Sequence, residues 1–205
     1  MKLRLLVLTM LTMLIASFAF AQKTGDEKSS STAMSGFLPD FLGQIDYVQK
    51  EIMELEQAVP QEKFSWRPSE GVRSVSEVYM HISFGNYLLM KFAGYDPPAD
   101  LKESIDVTKI EKWDASMSDK TKIAETLKNS FDHLKTITKK MSDAELEKKV
   151  DFFGQQMTIR NMMMSSLSHL HEHLGQSIAY ARMNGIVPPW TAAEQAAQQK
   201  EKEKK

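Results

Sequence analysis

Apolar residues recur at intervals of three and four along four long segments of this chain, and no run of residues reads as a set of strands. Leu38, Phe41, Leu42, Ile45, Val48, Ile52 and Leu55 make the first stripe, over residues 36–58, and Pro60 closes it. The second segment opens at Ser74-Val-Ser-Glu77, a capping box in which Ser74 caps and Glu77 reaches back. It runs to Ala93 and stops at Gly94, with Val78, Ile82, Gly85, Leu89 and Phe92 as its stripe. The third begins after Ser118 and carries Ile123, Leu127, Phe131, Leu134 and Ile137. A short turn at Ser142–Glu145 carries a second capping box, and residues 151–157 read as an irregular or short extended link. The fourth helix spans 158–184, with Gly185 at C′ and Pro188-Pro189 beyond. The chain has no cysteine, so no disulfide or thiolate-bound metal can brace it. Four amphipathic helices must then bury their stripes against one another, which predicts an all-α four-helix bundle over residues 36–190. One connection, after Gly94, exceeds 20 residues by this reading, and loops of that length often border a site.

The ends of the chain have a different character. Lys2 and Arg4 precede an apolar run from Leu5 to Phe18, and Ala19-Phe20-Ala21 follows as a small-x-small site. This is the pattern of a secretory signal over residues 1–21, cut after Ala21, and it predicts a periplasmic or secreted protein. The alternative is an uncleaved anchor, but the run is about as short as a spanning helix can be. No stable membrane span is expected after cleavage. Residues 22–35 are polar and serine-rich, a flexible leader. Residues 191–205 end in QQKEKEKK and read as a charged flexible tail. The formal net charge is −1, and loss of Lys2 and Arg4 would make the chain more acidic. A nucleic-acid partner is therefore not expected.

Five histidines remain to be explained, and three converge. His169 and His173 are four residues apart, about 40° of rotation and about 6 Å of rise on an α-helix, so both rings can reach one ion. Neutral imidazole is a common ligand for zinc and related divalent metals. His81 shares the inward face of the second helix with residues 78, 85, 88 and 92, which makes it the third candidate. His171 lies about 200° from His169, and His133 about 200° from Phe131, so both are expected to face solvent. Gln176 and Tyr180 continue the face of His169 and His173 as candidate pocket residues, and Asn86 lies one turn beyond His81. Gly175 offers a close approach to a neighbouring helix. Glu172 is a candidate proton carrier or partner for a ligand ring; its alternative is a plain surface residue.

The string His169–His173 also matches H-x-x-E-H, the inverted metalloprotease pattern. That pattern needs a downstream Glu ligand, and only Glu194, Glu201 and Glu203 follow, in the polar tail. The 14 methionines raise copper binding by thioethers, but Met162, Met163 and Met164 are adjacent and point in three directions. Core packing accounts for most of the methionines.

Three stretches together resemble the DinB-like superfamily of metal-binding four-helix bundles. They are Ser74-Val-Ser-Glu77-Val-Tyr-Met-His81, then His169-x-x-x-His173-x-Gly-Gln176, and the helix exit Ala181-Arg182-Met-Asn-Gly185-Ile-Val-Pro188-Pro189. The resemblance covers residues 35–190. It implies an up-down-down-up bundle, with the long loop carrying the chain across. It also implies a divalent metal, zinc or nickel, on His81, His169 and His173, with water completing the shell, and frequent homodimers. Some members resemble thiol-dependent transferases, others hydrolases or isomerases. This chain departs from the family in having Leu174 where a basic residue often precedes Gly-Gln, and in its export signal.

Three protein ligands leave a position open, the layout of a catalytic rather than a structural zinc. The expected function is metal-dependent hydrolysis or group transfer on a small-molecule substrate. The alternative is a non-catalytic metal- or ligand-binding module of the cell envelope. A plain structural bundle would instead pack His81 away from the fourth helix.

Overall fold

A computed structural model describes residues 36–204. The expected signal segment (1–21) and leader (22–35) lie outside the described residues. The long helices are α1 (Phe37–Ala58), α2 (Val75–Phe92), α4 (Lys120–Thr138) and α6 (Ile159–Met183). Between them stand α3 (Ile110–Asp114), α5 (Asp143–Leu146), and strands β1 (Lys149–Phe152) and β2 (Gln155–Thr158); α7 (Pro189–Lys202) follows α6. Helices α1 and α2 each pack against both α4 and α6, the arrangement of an up-down-down-up four-helix bundle. The expected stripes face inward: Ile45, Val48, Ile52, Leu55, Val78, Ile82, Ile123, Leu127, Phe131 and Leu134 are all buried.

Local signals set the helix ends. Ser74 Oγ accepts from the Glu77 N–H, and Glu77 Oε2 accepts from the Ser74 N–H at 2.7 Å, which completes the expected capping box. Thr158 caps α6 by accepting from the Asn161 N–H. Gly185 follows α6 with φ 76°, a left-handed conformation that suits glycine. The end of α1 is tied to the start of α4: Lys120 Nζ donates to the carbonyls of Gln57 and Val59, and Gln61 bridges to Ser118 and Lys120.

Two segments differ from expectation. Residues 151–157, expected as an irregular or short extended link, belong to an antiparallel hairpin over 149–158, with Lys149 opposite Thr158 and Phe152 opposite Gln155. Its two-residue turn is Phe153-Gly154, with φ 53° and 82°. That is the mirror-image turn that suits hairpins, here with Phe in place of the usual Asn or Asp. Residues 191–205 were expected as a flexible tail, yet α7 runs through them to Lys202, with no buried residue. Pro189 at the first turn and the Ala-, Gln-, Glu- and Lys-rich sequence favour a helix, which meets the core through the partly buried Trp190 at its start.

The long connection, 93–119, is built around α3. Trp113 Nε1 donates to the Met80 carbonyl at 3.0 Å and to Ser83 Oγ at 3.2 Å. Lys91 Nζ donates to the Ile105 carbonyl. Ile105 packs with Phe84 and Tyr87, and Trp113 lies against them. The loop is thus fastened along α2 beside His81. Replacing the α2 cap, Ser74→Ala, is expected to cost about 1 kcal/mol of stability. Urea unfolding followed by far-UV circular dichroism measures it.

Candidate metal centre

His81 projects from α2, and His169 and His173 project from α6. The three rings meet. The His169 and His173 centroids are 4.5 Å apart, and His81 lies 5.2 Å from the first and 4.8 Å from the second. One ligand atom from each ring falls within 4.8 Å of the others. Among the described residues this is the one group of three or more His or carboxylate side chains arranged to hold a metal ion.

The approach of the two helices depends on Gly85, one turn after His81. A Cβ built there would lie 2.3 Å from His169 Cε1. The His169 ring occupies the space that any other residue at position 85 would fill. Gly175, expected to allow a close helix approach, has nothing within 4 Å of such a Cβ and is exposed. The small residue that matters sits on the other helix.

Each ring has a distinct surrounding. His81 Nδ1 is 3.1 Å from Asp114 Oδ2, at the end of α3, and that oxygen also accepts from Arg73 Nε at 2.7 Å. His173 Nδ1 is 2.8 Å from Gln176 Oε1, and Gln176 Nε2 donates to the Tyr180 hydroxyl at 3.0 Å. Tyr180 is in turn braced edge-on by Trp66. Both contacts occupy Nδ1 and leave Nε2 of His81 and His173 for an ion. His169 has a buried Nδ1 with no hydrogen-bond partner. Burial pulls its pKa down to about 3, helped by the neighbouring His173, His81 and Arg73. Burial also lowers the pKa of His173, against a raising contact from Gln176. Low proton affinity keeps these rings neutral, the form that binds metal. An orphaned ring nitrogen, three converging imidazoles and two oriented Nδ1 atoms fit a divalent cation.

The remaining expected residues divide. Gln176 reaches the site through His173. Tyr180 acts behind it, through Gln176. Asn86 does not face the site: its Nδ2 donates to Ser130 Oγ on α4. Five residues along a helix turn it about 140° from His81. Glu172 is exposed and makes no hydrogen bond to any of the three rings, although its charge raises the proton affinity of His173. His171 is exposed, as expected. His133 is not: it is half-buried against Tyr87, 5.2 Å between centroids, and burial lowers its pKa. Glu194, Glu201 and Glu203 are exposed on or next to α7, and His81 takes the place the protease pattern would give to a Glu.

Asp114 and Arg73 were not anticipated. Asp114 belongs to a loop without periodicity. The available signal was a carboxylate within a long connection flanking a candidate ligand. A polar cleft of about 430 Å³ opens beside the cluster, lined by Arg67, Arg73, Glu77, Glu111, Asp114 and Gln176 among others.

The sequence profile of the DinB superfamily matches residues 44–177, a span that includes all three histidines. The chain belongs to the DinB superfamily. Solved DinB-like structures share its fold. A DinB-like protein from Bacillus cereus superposes with a TM-score of 0.62 at 18% identity, covering 73% of this chain and 93% of the other. YfiT from Bacillus subtilis gives 0.56 at 12% identity, covering 80% and 96%, and is described as a probable metal-dependent hydrolase with an unusual four-helix bundle topology. A mycothiol-dependent maleylpyruvate isomerase gives 0.55 at 14% identity, covering 68% of this chain and 60% of the isomerase. A comparison with curated protein sequences finds no match. At these identities the structural likeness carries the fold of this DinB-superfamily chain and not its chemistry.

Gly85→Ala is expected to keep the helical fold but displace the His169 ring. Zinc affinity should fall at least about tenfold, the scale seen when support for a ligand is lost. Competition with a chromophoric chelator measures it, with circular dichroism as the control for folding.

Proposed function

We propose that this DinB-superfamily protein holds a divalent metal, zinc or nickel, on His81, His169 and His173 and uses it for hydrolysis or group transfer on a small molecule. The observation that carries the reading is the convergence of three buried or half-buried imidazoles beside a polar cleft, with two of the rings oriented through Nδ1. A plain structural bundle would have packed His81 away from α6, and its ring is 4.8 Å from that of His173. Bound there, the metal supplies Lewis acidity and lowers the pKa of a coordinated water. The description of YfiT as a probable metal-dependent hydrolase supports the hydrolytic form of the reading.

The chain's own groups set up that chemistry. Asp114 accepts from His81 Nδ1–H, which fixes the tautomer and turns Nε2 toward the other two rings. Gln176 does the same for His173 with a neutral amide. Arg73 holds the Asp114 carboxylate from the far side and keeps the brace in position. The buried face of α2 and α6 keeps bulk water from His169, whose Nδ1 has no other partner. Asp114 is a positioning residue for His81, and Glu172 makes no hydrogen bond to a ligand ring.

Export rests on the sequence of residues 1–21 alone, and with it a periplasmic or secreted location. Among the described residues no helix is long and apolar enough to cross a membrane. The small-molecule substrate and the homodimer stand on the family resemblance.

Zinc- and nickel-loaded protein screened against ester, amide and thiol-transfer substrates should give an activity that His81→Ala abolishes. Asp114→Asn should keep the metal but with affinity reduced about 10- to 100-fold. An activity unchanged in His81→Ala overturns the catalytic role. Metal bound with no activity on any class favours the non-catalytic binding module.

A further inference from the structure

Two arginines line the cleft beside the three histidines, and they differ in what their guanidinium groups are free to do. Arg67 is engaged at both ends of its fork: Nη1 donates to the Val72 carbonyl and Nη2 to Glu77 Oε1. Arg73 is engaged at Nε alone, by Asp114 Oδ2 at 2.7 Å. Among the described residues its Nη1 and Nη2 have no protein acceptor. Its side chain is 36% exposed while Asp114 beneath it is 6% exposed, so the guanidinium is anchored below and open above. Its backbone directly precedes the Ser74 cap, a fixed point of the fold. Its charge is close enough to lower the proton affinity of both His169 and His173.

An anchored guanidinium with two unused donors is a preorganised anion receptor. We propose that Arg73 binds the carboxylate of a small monoanionic substrate through Nη1 and Nη2, and so directs the reacting end of that substrate at the three-histidine site. The planar fork matches a carboxylate in a bidentate pair. Glu77, Glu111 and Asp114 line the same cleft, and their charge disfavours a dianion such as a phosphate monoester. Glu77 is neutralised locally by Arg67, and Asp114 by Arg73, which leaves Glu111 as the exposed acid of the cleft without a partner among the described residues. A divalent cation on the histidines would shift the balance of the cleft toward accepting one negative charge.

This rests on the metal reading, and the test separates the two. Elemental analysis of zinc-loaded wild type and Arg73→Gln reports the metal by itself. Acetate is then titrated into both, with acetamide as the neutral match and inorganic phosphate as the dianion. Nitrogen-15 NMR of the arginine side chains and calorimetry read the binding. With zinc in saturating excess, so that a weaker Asp114 brace in Arg73→Gln does not empty the site, the expected result is equal zinc in both proteins and an acetate-shifted arginine signal that is missing in Arg73→Gln. Acetate affinity should be at least tenfold weaker in that variant and intermediate in Arg73→Lys, which keeps the charge and loses the fork. Glu111→Gln should tighten acetate binding. Acetamide should bind neither protein. Equal acetate affinity in wild type and Arg73→Gln overturns the proposal. So does phosphate binding more tightly than acetate through Arg73. Absence of zinc from the wild type would sink the metal reading, and the acetate titration still decides the role of Arg73, because its readout does not need the metal.

Discussion

The close contact between Gly85 on α2 and the His169 ring on α6 sets the spacing on which the site depends. A side chain at position 85 would push the helices apart or turn the ring away. Without one, His169 enters far enough to lie 5.2 Å from His81, which leaves α2 one turn earlier on the same face. The apolar stripes supply the driving force for this approach, and the glycine sets where it stops. A helix pair packed only by Leu and Ile would hold its axes about 8–10 Å apart and keep two opposed imidazoles from converging so closely.

Burial then has an electrostatic consequence. Burial lowers the proton affinity of His169 most strongly and of His173 as well, so both rings are held neutral and ready to donate lone pairs. Neutral rings still need orientation. Asp114 and Gln176 provide it from opposite sides, one from the long loop and one from α6 itself. The loop can do so because Trp113, its neighbour in sequence, is hydrogen-bonded to the α2 backbone one residue from His81. The loop that separates two parallel neighbours in the bundle also delivers the carboxylate that braces the first ligand.

Much of this was legible in the sequence because helices carry their burial pattern as a period. The stripes placed His81 inward, and four-residue spacing placed His169 and His173 together. The Ser74–Glu77 box and Gly185 marked ends that the structure keeps. What could not be read lacks a period. Asp114 sits in a connection whose path depends on where Trp113 and Ile105 find apolar cover. Gly85 was visible only as a small residue in a stripe, because its role needs the partner helix. Asn86 is near His81 along the chain, yet a five-residue step turns it toward Ser130. The angle of His133 from Phe131 points it off the apolar stripe, yet Tyr87 on the neighbouring helix covers it. The hairpin escaped because its turn places a phenylalanine in a conformation that asparagine or glycine usually signals.

X-ray absorption spectroscopy at the metal edge of the zinc-loaded protein counts the ligands of the three-histidine site by type. One zinc per chain is expected, with three imidazole nitrogens at about 2.0–2.1 Å and one further light atom. Sulfur at about 2.3 Å, fewer than three imidazoles, or a spectrum unchanged in His169→Ala would contradict it.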